Sequence, residues 1–209
     1  METLKNEIRK IFRNDLIHKP ERVEIEEKDT YIIVKVKENA TEADFKELKI
    51  EFPKEIEILP LLIDKDKYYT VFNINGNKKC ECAILVKEND SYYLTLVEMK
   101  STLRTFRIKK LIEIKEKFKC SLYVSLIILK LFDIIPKKIY GLIPHLRKET
   151  ISPTTFDIAN MDRDSSEREF LKEWESSELK FEWIYNTKIV LHKREFNEDS
   201  INWAEINTI

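Results

Sequence analysis

Glycine is almost absent from this sequence: the 209 residues include two, Gly76 and Gly141. P-loops and dinucleotide fingerprints need several glycines close together, because the backbone must turn tightly and approach the phosphates. Two distant glycines cannot build either motif. The sequence therefore excludes both of these nucleotide sites.

Cysteine is also scarce, with Cys80, Cys82 and Cys120. An odd number without paired spacing is typical of free thiols in a reducing compartment, so we expect a cytoplasmic protein without disulfides. A zinc site at Cys80 and Cys82 would need a second Cys or His pair nearby, and the three histidines are scattered. Cysteines at alternate positions of an apolar strand are instead expected to fill the core.

Long apolar runs are missing as well. The sequence begins METLKNEIRK, which is charged and lacks the apolar stretch of a signal peptide. The most apolar run, 122–135, is interrupted by Lys130 and Asp133 and falls short of the roughly 20 residues that a membrane helix needs. We therefore expect a buried helix there and no membrane association.

The sequence does contain both helical spacing and strand alternation, which together predict one α/β domain over 1–209. Within it, 1–55 has the character of an N-terminal appendage, 56–145 forms the core, and a helix and strands follow over 150–209. Helices are predicted at 2–17, 102–118, 121–132 and 164–175, with a short polar helix between Thr41 and Pro53. Strands are predicted at 23–26, 31–37, 56–63, 68–74, 79–87, 91–99, 138–143, 181–185 and 188–192.

A hairpin is predicted around Asn89-Asp90, between two of these strands. The two residues tolerate positive φ and suit a two-residue turn, so we expect Glu88 to face Ser91. A slip of one residue would move every side chain of the strand to the other face of the sheet. The identity of the turn therefore decides which side chains meet farther along the hairpin.

Counting outward from that turn places Glu81 directly opposite Glu98, with Cβ atoms roughly 4.5–5.5 Å apart. Lys100 lies on the same side, because side chains repeat every two residues along a strand. Facing like charges destabilise a sheet, whereas a divalent cation between them reverses the sign of the interaction. Mg²⁺ prefers such oxygen ligands and can polarise a phosphate and activate water, while a nearby ammonium stabilises developing charge. The pattern therefore predicts a metal-dependent hydrolytic site.

The pattern Glu-x-Lys alone is not informative, because it occurs five times in this chain. The copy at Glu98 differs from the others, since it ends an apolar strand that has a second carboxylate in register beside it. The alternative interpretation of Glu98 and Lys100 is a frayed strand end that carries a surface ion pair.

The segment resembles the PD-(D/E)xK nuclease superfamily, whose core has an acidic residue on one strand, Glu-x-Lys on the adjacent antiparallel strand, and then a helix. Glu81 matches the first acid, and Glu98 and Lys100 match the second motif. Glutamate at 81 replaces the commoner aspartate, and Cys80 replaces the family's proline. The resemblance is clear over about 70–145.

This resemblance implies a restriction-endonuclease-like fold, in which a central mixed β-sheet is flanked by helices. It implies a nuclease that hydrolyses phosphodiester bonds in DNA or RNA with Mg²⁺ or Mn²⁺, in bacterial or phage defence or in DNA processing. Glu81, Glu98 and the backbone carbonyl of Met99 would bind the metal, and Lys100 would orient the attacking water. The implied partner is nucleic acid, and assembly as a homodimer or a larger complex stays open.

A basic segment follows the Glu-x-Lys motif. The whole chain has a net charge of −1, yet residues 100–119 contain eight basic residues and two acidic ones. Phosphate contacts supply most of the non-specific affinity for nucleic acid, so we expect Arg104 and Arg107, nearest the acids, to bind the backbone. The alternative is an amphipathic core helix with a solvated basic face.

Two other functions are compatible with the sequence. One is a nuclease-like fold without activity, which serves as a nucleic-acid-binding or assembly subunit. The other is an interaction protein whose apolar run 121–135 forms a partner interface. Intact Glu98 and Lys100 favour the nuclease, and metal binding separates it from both alternatives.

Overall fold

The structure is a computed structural model of the chain, and it describes residues 2–12, 23–38, 45–61, 63, 78–100, 108–145, 166–181, 187–195 and 200–208. The helices are α1 (Glu2–Phe12), α2 (Ile108–Lys130), α3 (Ser166–Glu175) and α4 (Trp203–Asn207). The strands are β1 (Val23–Glu27), β2 (Tyr31–Lys37), β3 (Glu47–Pro53), β4 (Glu57–Leu61), β5 (Cys82–Glu88), β6 (Ser91–Val97), β7 (Lys138–His145), β8 (Glu178–Phe181), β9 (Thr187–Glu195) and β10 (Ile201–Asn202).

Six of the described strands form a mixed sheet in the order β4-β5-β6-β7-β9-β8. Strands β4, β5 and β6 pair antiparallel to one another, and β6, β7 and β9 pair in parallel. Strand β8 pairs antiparallel with β9 at the other end of the strand order. Among the described strands β4 lies at the edge of this sheet. Pro60 has no backbone N–H to donate, and an edge strand tolerates this because one of its sides has no strand to pair with. Strands β5 and β6, which carry the candidate acids, lie inside the sheet.

The other four described strands form a second sheet in the order β1-β2-β3-β10, and β10 pairs with β3 in parallel. The larger sheet is covered on both faces. Helices α1, α2 and α3 pack on one face, in a core that includes Ile8, Phe118 and Trp174. The four-stranded sheet and α4 pack on the other face, in a core that includes Ile50 and Trp203. The chain is thus an α/β protein, as predicted, with a mixed sheet between a helical layer and a second sheet.

Strand β3 corrects one prediction. The polar helix expected before Pro53 was placed on Thr41 and Asp44 as a capping signal, but residues 47–53 form a strand. Leu48, Ile50 and Phe52 are buried, and the residues between them are partly exposed. This period of two packs one side of β3 onto the larger sheet, which outweighs a weak local preference for helix. The helix prediction was wrong over this span, and residues 39–44 lie outside the described part of the chain.

Helix α2 corrects a second prediction, because it runs without a break through 119–121, where two helical pieces were expected. The Oγ of Ser121 accepts a 2.8 Å hydrogen bond from the backbone N–H of Cys80, so a polar residue is satisfied inside the helix. The apolar residues Leu122, Val124 and Ile128 lie in the core, whereas Leu131 is exposed beyond the helix. None of the described helices has both the length and the apolarity needed to cross a bilayer.

Several other predictions have a clear outcome. Strands close to 23–26, 31–37, 56–63, 138–143 and 188–192 and a helix close to 164–175 are confirmed. The strand predicted at 181–185 lies earlier, at 178–181. The predicted strand 68–74 and the beginning of the helix predicted at 102 lie outside the described residues. All three cysteines are buried and free, as expected of core residues.

Candidate active site

The hairpin between β5 and β6 has the predicted register. Asn89 adopts a positive φ of 52° in the turn, and Glu88 pairs with Ser91. The ladder continues without a bulge to the pair Cys82 and Val97. The residues of the turn therefore set the register over seven residue pairs. Glu81 and Glu98 lie just beyond the last pair, at the same end of the hairpin.

Glu81 lies just outside the ladder but still makes hydrogen bonds to the β6 side of the hairpin. Its backbone N–H donates to the carbonyl of Val97 over 3.0 Å. Its Oε2 accepts a 2.8 Å hydrogen bond from the backbone N–H of Met99. The side chain thus crosses to the other strand and occupies the position where a backbone acceptor would otherwise continue the ladder. This contact holds the carboxylate beside Glu98.

Glu98 and Lys100 are held by the neighbouring strand β7. The N–H of Glu98 donates to the carbonyl of Leu142 over 2.9 Å, and the N–H of Lys100 donates to that of Pro144 over 3.1 Å. The side chain of Glu98 has no exposed surface, so this end of the strand is not frayed. The Nζ of Lys100 donates to Oε1 of Glu98 while about a fifth of its side chain remains exposed (21%).

Lys117 of α2 also enters this cluster. Its Nζ donates to Oε1 of Glu98 over 2.7 Å and lies 4.0 Å from Oε1 of Glu81. In the sequence, Lys117 is one of the eight basic residues of 100–119, and the excess of basic charge there does not predict that it belongs to the site. A signal was present, because Lys117 is three residues after Ile114 and four before Ser121, on the side of the helix that packs against the sheet.

The charges of the cluster influence one another strongly. Burial raises the pKa of the Glu81 carboxyl well above its usual range, and the nearby Glu98 raises it further. The ammonium groups of Lys117 and Lys100 and the Met99 N–H oppose that shift in part. Burial alone would lower the pKa of Lys117, but the carboxylates of Glu98 and Glu81 outweigh burial and raise it. Two acids and two ammonium groups thus share a poorly hydrated space.

One atom of the cluster, an oxygen of Glu98, has no partner among the described residues. The Oε2 of Glu98 is buried and accepts no hydrogen bond from the described part of the chain. Such an atom costs roughly 1–3 kcal/mol, and more when it is charged, unless something binds it. Mg²⁺ can be held by one or two carboxylates plus waters, so the donor atoms of Glu98 and Glu81 fit a metal ion. Among the described residues there is no group of three or more His, Cys, Asp or Glu side chains suited to a metal.

The other candidates have mixed outcomes. Arg104 and Arg107 lie outside the described residues. His145 is buried and pairs with Lys100 in an isolated parallel bridge between their strands. Residues paired in this way project to the same side of a sheet, so the imidazole lies on the face that carries Glu98 and Lys100. A lone histidine after a strand is usually structural, so the sequence does not predict a role for His145.

Comparisons of this chain with family models, with curated proteins and with solved structures found no match.

Proposed function

We propose that this protein is a metal-dependent nuclease that hydrolyses phosphodiester bonds in DNA or RNA with Mg²⁺ or Mn²⁺. The proposal includes a restriction-endonuclease-like fold, which fits the antiparallel β5 and β6, the parallel β7 and the helix after the Glu-x-Lys motif. One observation carries it: Glu98 is fully buried beside a second acid, and its Oε2 lacks a partner in the described part of the chain.

Each residue has a distinct part in this proposal. A bound metal ion would supply Lewis acidity and a water of lowered pKa. Glu98 and Glu81 would offer it carboxylate oxygens, and the hydrogen bond from the Met99 N–H keeps Glu81 in a fixed orientation. Lys100 reaches Glu98 from the partly exposed side, where its ammonium can stabilise negative charge that develops on a phosphate.

The nucleic acid would approach along the basic segment 100–119. Phosphate contacts provide affinity without sequence selectivity, and Arg104 and Arg107 are the proposed contacts nearest the acids. A role in bacterial or phage defence or in DNA processing is what the superfamily resemblance suggests.

The test is cleavage by the full-length protein and by Glu98→Gln and Lys100→Met variants, on circular and linear DNA and on RNA. We expect Mg²⁺- or Mn²⁺-dependent cleavage that falls by orders of magnitude in each variant while the fold is kept. Glu116→Gln and Lys119→Met serve as controls, because they alter an ion pair of 3.3 Å on the same helix. Cleavage that survives both EDTA and Glu98→Gln would contradict the proposal.

A second candidate function is a nuclease-like subunit that binds nucleic acid or assembles without cleaving. The observation in its favour is that two ammonium groups already contact the acid pair, since Lys100 and Lys117 both donate to Oε1 of Glu98. Binding of nucleic acid that is unaffected by Mn²⁺, together with no cleavage of any substrate, would support this function over the nuclease.

A further inference from the structure

The ammonium of Lys117 lies where a cation can contact both acids. Its Nζ is 2.7 Å from Oε1 of Glu98 and 4.0 Å from Oε1 of Glu81. We infer that Lys117 is the resident counter-cation of this acid pair, which it holds together until a divalent ion displaces it. This inference rests on the proposed function, because it concerns the same metal site.

The charges of the cluster oppose the entry of a divalent ion. With both acids ionised, as metal binding requires, the carboxylates of Glu81 and Glu98 face the ammonium groups of Lys100 and Lys117, and the four charges sum to zero. A divalent ion that enters a neutral cluster gains little net attraction and is repelled by both ammonium groups at short range. The ion therefore binds well only if one ammonium group withdraws.

The structure distinguishes which group can withdraw. Glu98 is fully buried and is fixed by its own backbone between β6 and β7, so the carboxylate cannot follow a cation into water. Lys117 extends from α2, and 27% of its side chain is exposed. A lysine has a flexible stem of four carbons and a strongly hydrated head, so the ammonium of Lys117 can turn from the acids toward the solvent that already reaches part of its side chain.

Lys100 is the poorer candidate for displacement. It lies two residues from Glu98 on the same chain segment, and its N–H is bound to the carbonyl of Pro144. The proposed chemistry also requires its ammonium beside the phosphate. The divalent ion would therefore displace Lys117 and keep Lys100, so Lys117 is a positioning residue of the metal-free site and a competitor of the metal.

This competition sets a direction for metal affinity. If Lys117 must leave, removal of its charge makes the ion bind more tightly. If Lys117 remains in place and orders the acids for the ion, its removal makes the ion bind more weakly. A role in folding alone leaves affinity unchanged once the variant is folded.

The experiment is calorimetric titration of Mn²⁺ into the full-length protein without nucleic acid. Lys117→Met and Lys117→Gln should each lower the dissociation constant by at least about tenfold, because a positive charge within a few ångströms of the ion is removed. Lys117→Arg retains the charge and should bind no more tightly than the wild type. Lys119→Met removes the same charge from the outer side of α2, where Lys119 pairs with Glu116, and should change affinity by less than about twofold.

The possible outcomes separate this inference from the proposed function. If the wild type binds Mn²⁺ and both neutral variants bind equally or more weakly, Lys117 is not a competitor, although the metal site stands. If neither the wild type nor any variant binds, the metal site and the inference fall together. If the wild type shows no binding at millimolar Mn²⁺ and the neutral variants bind the ion, the metal site and the competition by Lys117 are both supported. Circular dichroism shows whether each variant is folded. If Lys117→Met is unfolded, the comparison is made with Lys117→Gln alone.

Discussion

The Oε2 of Glu81 accepts a 2.8 Å hydrogen bond from the backbone N–H of Met99, two residues beyond Val97, where the ladder between β5 and β6 ends. The contact has two consequences. It satisfies a backbone donor that β5 no longer reaches, and it turns the second oxygen of Glu81 toward Lys117. A substitution at this position must therefore be judged both for charge and for the hydrogen bond.

The first prediction concerns the stability of Glu81→Gln. The variant removes a charge that the folded protein disfavours, because the pKa of Glu81 is raised, and it retains an oxygen for the Met99 N–H. In EDTA at neutral pH it should be at least as stable as the wild type. This advantage should vanish as the pH falls, because a raised carboxyl pKa costs stability only above its unfolded value near 4.3.

Addition of Mn²⁺ should reverse that order. An ion that binds only the folded wild type stabilises it by roughly 2.7 kcal/mol at a hundred times its dissociation constant. Glu81→Gln should gain much less, whereas Glu116→Gln, on the outer side of α2, should respond like the wild type. Melting curves across a Mn²⁺ series give the answer. Equal gains in the wild type and Glu81→Gln would show that no ion is held by this carboxylate.

The second prediction concerns Arg104 and Arg107. If both bind phosphates, the double alanine variant should weaken binding to all sequences and flatten the plot of log affinity against log salt by about two contacts. Lys130→Ala with Lys188→Ala is a matched control, since it removes two exposed charges far from the acids. Fluorescence titrations at several salt concentrations measure both slopes. The same slope in the arginine variant and in the wild type would assign those side chains no contact with phosphate.

The third prediction concerns acid sensitivity through His192. This residue is buried against Tyr140, with ring centroids 5.6 Å apart, and its Nε2 has no partner among the described residues. Burial, with a smaller effect of Arg194, lowers the pKa of His192 to about 4. The unfolded chain binds a proton near pH 6.5 while the folded chain does not, so stability should fall as the pH drops from about 6.5 toward 4.

The size of that loss is at most about 3 kcal/mol. His192→Phe does not titrate, so the corresponding part of the pH dependence should disappear. Urea unfolding at several pH values between 4 and 7 measures both proteins. Parallel curves for the wild type and His192→Phe would mean that this imidazole is hydrated or otherwise paired in solution.

The fourth prediction tests how closely β7 approaches α2. A Cβ atom at Gly141 would lie 2.8 Å from Cδ2 of Leu191 and 3.1 Å from Cε1 of Phe118. In a regular strand, replacing glycine by alanine normally stabilises the folded protein by less than about 1 kcal/mol. Overpacking of a core destabilises it by about 1–3 kcal/mol. Gly141→Ala should therefore destabilise the protein.

A second substitution checks that explanation. Leu191→Val withdraws the nearest atom, so the double variant with Gly141→Ala should lose less stability than the sum of the two single changes. Denaturant midpoints of the four proteins give the coupling free energy. Additive losses would place the strain elsewhere than at Leu191.

Much of the local structure was predictable, because its causes lie within short stretches of sequence. Asn89 and Asp90 suit a tight turn, and the alternation on either side of them continues in register to Cys82 and Val97. Helix α3 and strands β1, β2 and β9 also follow from their periodicity. The prediction failed at 47–53, where a cap-like pattern was preferred over the alternation of Leu48, Ile50 and Phe52, and burial against a distant sheet decided the outcome.

The sequence by itself determined that Glu81, Glu98 and Lys100 lie at one end of a hairpin, because a turn and a period of two are local properties. Only the tertiary structure placed Lys117 against both acids. That contact depends on the length of α2, on its angle across the sheet and on the close approach that Gly141 permits, and each of these results from packing between segments far apart in the chain. Packing therefore decided the balance of charge around the candidate metal site, which the pattern of residues could not show.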